Sequence, residues 1–592
     1  MCGIAGIIGH DTHTKSNIKK MLGKLAHRGP DGEGIWSNSQ VTLGMRRLSI
    51  IDLATGMQPL FNEDNSIVIV GNGEIYNYKK LNKQIIAKGH HPKTGSDIET
   101  IIHLYEEYGS DCISKLTGMF AFALYDIKNN TVLIARDRLG EKPLYYSDYQ
   151  QSFYFASELK ALTAVVPHDK IDLDSVNLYF YYYYVPEPRT MFPNISKLAA
   201  GHYLTLDLKT MRYQIVRYWD PTKCKPVKFD SPIKKFRETL ETSIENTLVA
   251  DVEVGVSLSG GLDSSAILAI AASRYPQKMK AFTIGYNNTP PSDERSLAHI
   301  VTEKYGVEHI QMEVSTKDVV DHFPQLVYDG DDPIADIAGH AIYSVSRLAH
   351  KHGLKVLLGG LGGDELFWGY EWVRQATLYN SQHNDFHFYD MITPYKQAKS
   401  FIGHLTSKSF KSILDQELPY NIFKPPRHLG ITANARYSQD LIRDIWLVSN
   451  CIAYNDRLSM ASSVELRSPL LNHQLVETAY ISKRNTLSYN SPSKYWFKKI
   501  IASLLPKEII SAPKRGFQPP VIKWFFALIY QYIHLLKNGY LVKNNILDKK
   551  SIDFMVHTWV IRPLQWPAIY QLITLEIWAR EYVWDQNPGD LQ

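Results

Sequence analysis

The sequence predicts a mixed α/β protein whose two parts differ in architecture. In roughly the first 200 residues, short alternating or apolar runs are separated by turn residues, which predicts stacked β-sheets flanked by helices. From about residue 229 the pattern changes to alternating strands and helices, which predicts a doubly wound parallel sheet with helices on both faces. A chain of 592 residues is long enough for two domains with full cores.

Composition excludes several classes of protein. Hydrophobic residues make up 44% and charged residues 21%, as in ordinary globular proteins, and the net charge of +5 gives no case for nucleic-acid binding. The four cysteines contain no CxxC pair, so they imply neither a disulfide framework nor a zinc site. The start lacks a basic n-region, and the most apolar stretches, such as residues 524–530, are too short to span a bilayer. We therefore expect a cytoplasmic protein without membrane contact.

The N-terminal part contains six predicted strands and two predicted helices. The strands cover residues 2–8, 40–50, 66–71, 119–126, 131–137 and 153–156, and the helices cover residues 16–26 and 97–108. Polar clusters lie at the ends of these runs, at residues 27–32, 47–52, 72–77 and 94–97. Each cluster alone fits a turn, because Gly, Asn, Asp and Pro favour turns for backbone reasons. At one edge of a sheet the four clusters would form a pocket.

Cys2 directly follows the initiator Met1. If Met1 is removed, one residue carries both a thiol and a free α-amine. The amine, with a reference pKa of about 8, can take the thiol proton through a water, so that nucleophile and base come together. The alternative is a small buried residue near a chain end, which the four polar clusters downstream disfavour.

These residues together resemble the class II glutamine amidotransferase domain, an N-terminal-nucleophile hydrolase with an αββα sandwich, over residues 2–205. The resemblance implies that Cys2 attacks glutamine, and that the Asn72 side chain and the Gly73 N–H form the oxyanion hole. It also implies a cation for the α-carboxylate of glutamine and anions for its α-amine. The implied glutamine-binding residues are Arg47, Asn72, Glu74 and Asp97.

In the second part, predicted helices and strands alternate. Helices cover residues 232–250, 264–273, 293–305 and 341–350, and strands cover residues 252–258, 279–284, 309–313 and 355–358. Between the first strand and the second helix lies the loop Ser259–Ser265, with sequence SGGLDSS. Backbone N–H groups of such a loop, and the start of the helix, both face an anion. The loop is not a Walker A motif, because no GxxxxGK[ST] occurs.

This loop resembles the pyrophosphate loop of the N-type ATP pyrophosphatases, which split ATP between the α and β phosphates. The resemblance covers residues 229–592, with residues 206–228 as a linker, and implies Asp263 and Asp364 as ligands of Mg²⁺, which prefers hard carboxylate oxygens. Two further motifs at residues 456–461 and 465–471 are predicted as a helical segment and the turn after it, and residues 513–517 match the closing element of the family. The implied ATP-binding residues are Leu258, Ser259, Gly260, Gly261, Asp263, Ser264, Ser265, Ile284, Gly359, Gly360 and Lys494.

The whole chain is similar to the glutamine-hydrolysing asparagine synthetases, nearly end to end. The resemblance implies glutamine, ATP and a carboxylate acceptor as small-molecule substrates, an acyl-adenylate intermediate, internal passage of ammonia, and a homodimer as a possible assembly.

One segment departs from the family pattern. Leu361 stands where a carboxylate is expected to assist attack on the adenylate, and Gly359 replaces the usual serine. Ile337 and Ala338 stand where hydroxyls often occur. Three hypotheses stay open: an asparagine synthetase in which Asp332 or Asp336 takes over the role, a relative that amidates another carboxylate such as a uronic acid or a secondary-metabolite precursor, and a scaffold protein that keeps the fold. The complete set of glutaminase and ATP-loop residues disfavours the third.

Overall fold

The computed structural model describes residues 2–9, 11, 13–224, 231–286, 293–383, 393–415, 431–513 and 519–584. Within these ranges the predicted mixed α/β class is confirmed: two antiparallel sheets come first and one parallel sheet follows. Residues 514–517 of the predicted closing motif and residues 225–228 of the predicted linker lie outside the described ranges.

The N-terminal part is built from twelve described strands and six described helices. The strands are β1 (Cys2–Gly9), β2 (Gly32–Ser37), β3 (Val41–Arg47), β4 (Leu60–Phe61), β5 (Ile67–Ile75), β6 (Gly118–Asp126), β7 (Thr131–Arg136), β8 (Tyr145–Tyr149), β9 (Ser152–Ala156), β10 (Ser196–Lys197), β11 (His202–Asp207) and β12 (Arg212–Arg217). The helices are α1 (Thr14–Lys24), α2 (Tyr78–Ile86), α3 (Glu99–Tyr108), α4 (Cys112–Lys115), α5 (Leu159–Thr163) and α6 (Leu173–Tyr182).

The two antiparallel sheets pack face to face. Their strand orders are β10-β8-β9-β1-β3-β2 and β12-β11-β7-β6-β5-β4. One apolar core fills the space between them, with Ile4 and Ile8 of β1 facing Val68 and Val70 of β5. The opposite faces pack against helices: α1 and α5 cover the first sheet, while α2 and α3 cover the second. These four layers are the predicted αββα sandwich.

The second sheet extends past the predicted boundary at residue 205. That boundary falls inside β11, which pairs with β7, and β12 then adds the edge strand. Residues 206–217 therefore belong to the sheet and are not a linker. The sequence pattern misses β12 because its side chains are almost all exposed, so its apolar residues face no core.

The second part is a parallel sheet surrounded by helices. Its strands are β13 (Val254–Ser257), β14 (Lys280–Tyr286), β15 (Glu308–Val314), β16 (Val356–Leu358) and β17 (Glu465–Arg467). Its helices, with a π-helix at Ile442–Ile452 between α17 and α18, are α7 (Pro232–Thr247), α8 (Leu262–Ala272), α9 (Arg295–Tyr305), α10 (Thr316–Asp321), α11 (Phe323–Asp329), α12 (Gly339–Lys351), α13 (Gly363–Leu366), α14 (Glu371–His383), α15 (Thr393–Leu405), α16 (Lys408–Leu414), α17 (Ile431–Leu441), α18 (Ala453–Met460), α19 (His473–Ile481), α20 (Lys483–Thr486), α21 (Tyr495–Ile501), α22 (Lys507–Ser511), α23 (Val521–Tyr532), α24 (Tyr540–Lys543), α25 (Lys549–Thr558) and α26 (Trp566–Tyr582).

The strand order is β15-β14-β13-β16-β17, and every pairing is parallel. Strands β14 and β15 are therefore added on one side of β13, and the later strands β16 and β17 on its other side. The chain after β13 and the chain after β16 continue on opposite sides of this point, and the carboxyl ends of these two strands are where such a sheet binds ligands. The segment at 465–467, predicted as a turn, is instead the edge strand β17 beside β16. Its charged residues Glu465 and Arg467 hide the strand pattern, since both are buried as an ion pair.

The aromatic run at residues 179–184 forms the end of α6 and its exit turn, and most of its rings are buried. Helix α26 is also buried along nearly its full length.

Among the described helices, none combines the length and the apolar character that crossing a membrane requires.

Candidate active sites

The predicted glutamine site lies at one end of the core between the two antiparallel sheets. Cys2 belongs to this core, and its backbone lies opposite Arg47 in the β1–β3 pairing. Because side chains alternate along a strand, Arg47 follows the inward positions of Val41, Leu43 and Met45. Asn72 and Glu74 follow the inward positions of Val68 and Val70 in the same way. The inter-sheet layer therefore changes from apolar to polar at this end.

Cys2 and Asn72 are in direct contact. The Cys2 backbone N–H donates to Asn72 Oδ1 at 2.9 Å, and both residues are buried. This bond fixes the orientation of the amide, because an N–H donor requires the oxygen. The Asn72 Nδ2 atom is buried and has no hydrogen-bond partner among the described residues. An orphaned donor beside a thiol fits an oxyanion hole.

Gly73 cannot be replaced without strain. Its φ of +149° lies in the region that favours glycine, and a Cβ at this position would lie 2.1 Å from the Met119 carbonyl oxygen. The close approach of β6 thus requires glycine beside the orphaned amide of Asn72.

Arg47, Glu74 and Asp97 are all buried at this end of the sandwich. Arg47 Nη2 donates to the carbonyl oxygens of Ile51 (3.3 Å) and Asp52 (2.5 Å). Asp97 Oδ2 accepts from the Ile75 N–H at 2.7 Å, which places Asp97 at the end of β5. The structure therefore brings together the residues assigned to glutamine binding.

The pKa values of the two carboxyls are raised in this site. Burial, and then the charge of Glu465, raises the pKa of Asp97 to about 6. Burial, with Glu465 and Asp97 as neighbours, raises the pKa of Glu74 well above its usual range. Both groups resist ionisation without a cation, so the site is suited to an ammonium group.

Two arginines at this site were not assigned a role from the sequence. Arg28 Nε donates to the Cys2 carbonyl oxygen at 3.1 Å, and its other nitrogens donate to Glu158 (2.7 Å) and Asp456 (2.9 Å). Arg467 Nη2 lies 3.7 Å from Glu74 Oε2. Asp456 and Arg467 come from the second part of the chain, so the glutamine site is completed across the boundary between the two parts.

The predicted phosphate site lies at the crevice between β13 and β16. Lys494 Nζ contacts Asp263 Oδ2 and lies 2.8 Å from Asp364 Oδ1. Glycines make room for both carboxylates: a Cβ on Gly363 would lie 2.3 Å from Asp263 Oδ1, and one on Gly369 would lie 1.7 Å from Asp364 Oδ1. Lys494 itself has a φ of +55°, a strained conformation of the kind found at functional sites.

The lysine is held as a cation. Although burial lowers the pKa of the Lys494 ammonium, Asp263 and then Asp364 outweigh that effect and raise it. The two carboxylate groups thus already converge on one positive charge.

The loop between β13 and α8 is folded by its own hydroxyl groups. Ser259 Oγ lies 3.0 Å from Ser264 Oγ and accepts from the Gly261 N–H at 3.2 Å. Gly260 has a φ of +87°, and a Cβ there would lie 2.4 Å from the Glu294 carbonyl oxygen. Ser265 Oγ is buried with no hydrogen-bond partner among the described residues. The loop ends at the N-terminus of the eleven-residue helix α8, which favours an anion.

The other residues predicted to bind ATP lie at the same sheet edge. Leu258 is buried after β13, and its N–H donates to the Phe282 carbonyl oxygen at 2.9 Å. Ile284 lies on β14 and is partly buried. After β16, the Gly359 N–H donates to the Arg467 carbonyl oxygen at 2.8 Å, and a Cβ on Gly360 would lie 3.1 Å from the Ser264 nitrogen. The loops after β13 and β16 therefore touch.

Comparisons with known proteins match both parts of the chain. Residues 1–219 match the family model of the glutamine amidotransferase domain, and residues 235–580 match that of asparagine synthase.

Curated relatives cover nearly the full chain. The glutamine-hydrolyzing asparagine synthetase 1 of Bacillus subtilis (strain 168) is 29% identical over 598 residues, which cover 94% of this chain and 91% of that protein. Asparagine synthetase 3 of the same organism is 30% identical and covers 94% of each chain. Asparagine synthetase 1 of Arabidopsis thaliana is 31% identical over 423 residues, 68% of this chain and 67% of that protein. With matches of this extent, the chain belongs to the asparagine synthase family and carries a glutamine amidotransferase domain at its N-terminal end.

Proposed function

We propose that this protein is a ligase that hydrolyses glutamine at the Cys2 site and uses the ammonia to amidate a carboxylate at the Asp263–Asp364 site. The acceptor is aspartate, activated as an acyl-adenylate by ATP, and the products are asparagine, AMP, pyrophosphate and glutamate. The observation that carries the proposal is the presence of both sites in one chain: a thiol beside an orphaned oxyanion donor, and two carboxylates around a buried lysine at the switch point of a parallel sheet.

In the first half-reaction, Cys2 Sγ attacks the side-chain amide carbon of glutamine. Burial raises the pKa of the Cys2 thiol, so the thiol is neutral and needs a base. Removal of Met1 would supply that base as the α-amine of Cys2. Asn72 Nδ2 and the Gly73 N–H would donate to the oxyanion of the tetrahedral intermediate. The carbon–nitrogen bond then breaks, ammonia leaves, and water hydrolyses the thioester to glutamate.

Arg47, Glu74 and Asp97 supply the charges that recognise the amino-acid end of glutamine. The buried guanidinium of Arg47 pairs with the α-carboxylate, and the two buried carboxyls pair with the α-ammonium. Binding of that ammonium would lower both raised pKa values, because an adjacent opposite charge favours the ionised form.

In the second half-reaction, the acceptor carboxylate attacks the α-phosphorus of ATP, and the bond from that phosphorus to the pyrophosphate oxygen breaks. The loop Ser259–Ser265 and the Lys494 ammonium would bind phosphate oxygens. Ammonia then attacks the acyl carbon, AMP leaves, and a proton leaves the nitrogen.

The donor set of this site fits Mg²⁺. Asp263 and Asp364 offer hard carboxylate oxygens that already surround one cation, so they would hold a magnesium ion. When bound, the ion offsets negative charge on the leaving pyrophosphate.

Leu361, which stands where a carboxylate is expected, is apolar and packs, partly buried, against the main core. Of the two carboxylates considered as replacements, Asp332 is already occupied: its Oδ2 pairs with Lys197 Nζ at 2.8 Å and accepts from the Tyr145 hydroxyl at 3.1 Å. Asp336 accepts only neutral donors in the described residues, from Asn450 Nδ2 at 3.0 Å and the Ala338 N–H at 2.9 Å. After burial, the charges of Glu365, Asp336 and Asp364 raise the pKa of the Cys451 thiol, so these carboxylates share one region. Asp336 is therefore a better candidate than Asp332 for the base that an aspartate acceptor requires.

The two half-reactions should be separable by single substitutions. Cys2→Ala removes the nucleophile, so glutamine hydrolysis should be lost while ammonia-dependent amide formation remains. Asp364→Asn removes a carboxylate that would hold Mg²⁺, so ATP-dependent pyrophosphate release should be lost while basal glutaminase activity remains. Glutamate and pyrophosphate are measured for both variants. Glutaminase activity in Cys2→Ala, or undiminished pyrophosphate release in Asp364→Asn, contradicts the assignments.

Glutamine binding should weaken at acid pH. Binding of the ammonium requires ionised carboxylates, and the pKa of Asp97 is raised to about 6, so affinity is present above this pH and lost as pH falls through it. We expect the dissociation constant of glutamine for the Cys2→Ala variant to rise about tenfold per pH unit below about pH 6. Calorimetry at several pH values measures it. The matched variant with Asp97→Asn added should bind weakly with a flatter profile; a flat profile with Asp97 intact contradicts the role of these carboxyls.

Residue 361 should control the rate of amide formation. Leu361 cannot act as a base. If no other residue replaces that base, asparagine formation from aspartate, glutamine and ATP should occur but be slow, and Leu361→Glu should accelerate it. General base catalysis increases a reaction rate by about 10²–10⁴-fold. Even one tenth of the smallest of these effects, about tenfold, is measurable. Leu361→Gln is the isosteric control without a base. Equal rates for the Glu and Gln variants remove any special role of residue 361, and no asparagine from any form with intact glutaminase activity points to another carboxylate, such as a uronic acid.

A further inference from the structure

Two histidines and two glutamates come together beside the second antiparallel sheet of the N-terminal sandwich. Glu63 follows β4, His90 lies after α2, and His103 and Glu106 lie three residues apart on α3. One ligand atom from each of the four residues lies within 4.8 Å of the others. This cluster has no part in the glutamine or ATP sites described above.

The separations between these atoms suit a single small cation. Glu106 Oε2 lies 3.2 Å from His103 Nδ1 and 3.5 Å from His90 Nδ1. Glu63 Oε2 lies 3.5 Å from His103 Nδ1, and Glu63 Oε1 lies 3.8 Å from His90 Nδ1. Ligand atoms at tetrahedral angles and bond lengths of about 2.0–2.1 Å are about 3.3 Å apart. The four His–Glu separations are close to this value, and the single ligand atoms of all four residues lie within 4.8 Å of one another, so the cluster would contract to bind one ion.

The outward nitrogens of both histidines face further carboxylates. His90 Nε2 lies 3.1 Å from Glu107 Oε1, and His103 Nε2 lies 3.6 Å from Glu99 Oε1. Glu99 is in turn held by the N–H groups of Lys93 and Thr94, each at 2.7 Å. In protein metal sites, a ligating histidine commonly donates its other N–H to a carboxylate, which orients the ring. His90 makes this hydrogen bond, whereas His103 Nε2 faces Glu99 Oε1 at 3.6 Å, too far for a hydrogen bond.

Each of the two inner glutamates has one oxygen held and another directed at the histidines. Glu106 Oε1 accepts from Asn62 Nδ2 at 2.8 Å, and its Oε2 faces both rings. Glu63 Oε1 accepts from the His91 N–H at 2.8 Å, and its Oε2 faces His103. The ligand oxygens are therefore positioned by groups outside the cluster.

We propose that His90, His103, Glu63 and Glu106 bind one divalent transition-metal ion, with Zn²⁺ as the best match to two imidazoles and two carboxylates. The ion would join the end of β4, the segment after α2 and helix α3. Through His103 and Glu99 it would also support the turn at residues 93–94, close to Asp97 of the glutamine site.

Without a metal, the same residues form a set of ion pairs. Burial lowers the pKa of His103, but the neighbouring carboxylates of Glu106 and Glu99 raise it to about 9. A metal site binds one ion per protein, whereas a set of ion pairs alone does not, and this difference is measurable.

The test is titration of the full-length, tag-free protein with Zn²⁺ against a chromophoric chelator, after removal of metals. Cys2→Ala serves as the parent, because a thiol is another zinc ligand. We expect one tightly bound Zn²⁺ in the parent and at least tenfold weaker binding in His90→Ala and Glu106→Gln. His91→Ala is the matched control: its side chain is exposed, and only its backbone N–H contacts Glu63. Its affinity should equal that of the parent.

A second readout reports the geometry of the site. Co²⁺ in place of Zn²⁺ should give the intense visible absorption of tetrahedral coordination in the parent and in His91→Ala, and lose it in His90→Ala. Circular dichroism and the melting temperature without metal show whether each variant is folded. If His90→Ala is not folded, the near-isosteric Glu106→Gln variant is used for the test. Equal Zn²⁺ affinity in the parent and Glu106→Gln, or no stoichiometric binding by the parent, overturns the proposal.

Discussion

Arg467 lies where the two parts of the chain meet and contacts groups at both candidate active sites. Its guanidinium is fully buried, lies 3.7 Å from Glu74 Oε2, and donates to the carbonyl oxygens of Thr247 and Val249 at 2.7 Å. Its own carbonyl oxygen accepts the Gly359 N–H of the phosphate-site loop at 2.8 Å. Because a buried charge is strongly unfavourable unless it is paired, this residue fixes the edge of the parallel sheet against the glutamine site.

Arg28 makes a second connection of the same kind. It is fully buried, contacts the Cys2 carbonyl oxygen, and pairs with Glu158 of its own domain and Asp456 of α18. Asp456 also lies 3.2 Å from Lys142 Nζ. Removing one partner from such a buried pair typically costs about 3–5 kcal/mol, since the other charge is left without compensation. The position of Cys2 relative to the second part of the chain is therefore held by charge pairing in addition to apolar packing.

Much of this arrangement can be predicted from local sequence patterns, and the rest depends on contacts between distant residues. Alternation along β1, β3 and β5 directs Cys2 and Arg47 of the first sheet and Asn72 of the second sheet into the layer between the sheets. A glycine-rich loop after a buried strand predicts the phosphate site. The Arg28–Asp456 pair joins residues 428 positions apart, which no spacing rule reveals. The edge strands β12 and β17 were missed because one is exposed and the other carries a buried ion pair. The His–Glu cluster was missed because its residues come from three separate segments, and each of them alone looks like an ordinary polar surface residue.

The central claim is that the two sites form one unit across a charge-paired boundary, so that ammonia passes between them inside the protein. Free ammonia is protonated in neutral water, so transfer through solvent would mix it with external ammonium. The most direct measurement uses glutamine labelled with ¹⁵N in the side-chain amide, together with aspartate, ATP and excess unlabelled ammonium, and determines the label in the asparagine formed. Our account predicts that the product amide retains nearly all of the ¹⁵N. Dilution of the label in proportion to the external ammonium would contradict it.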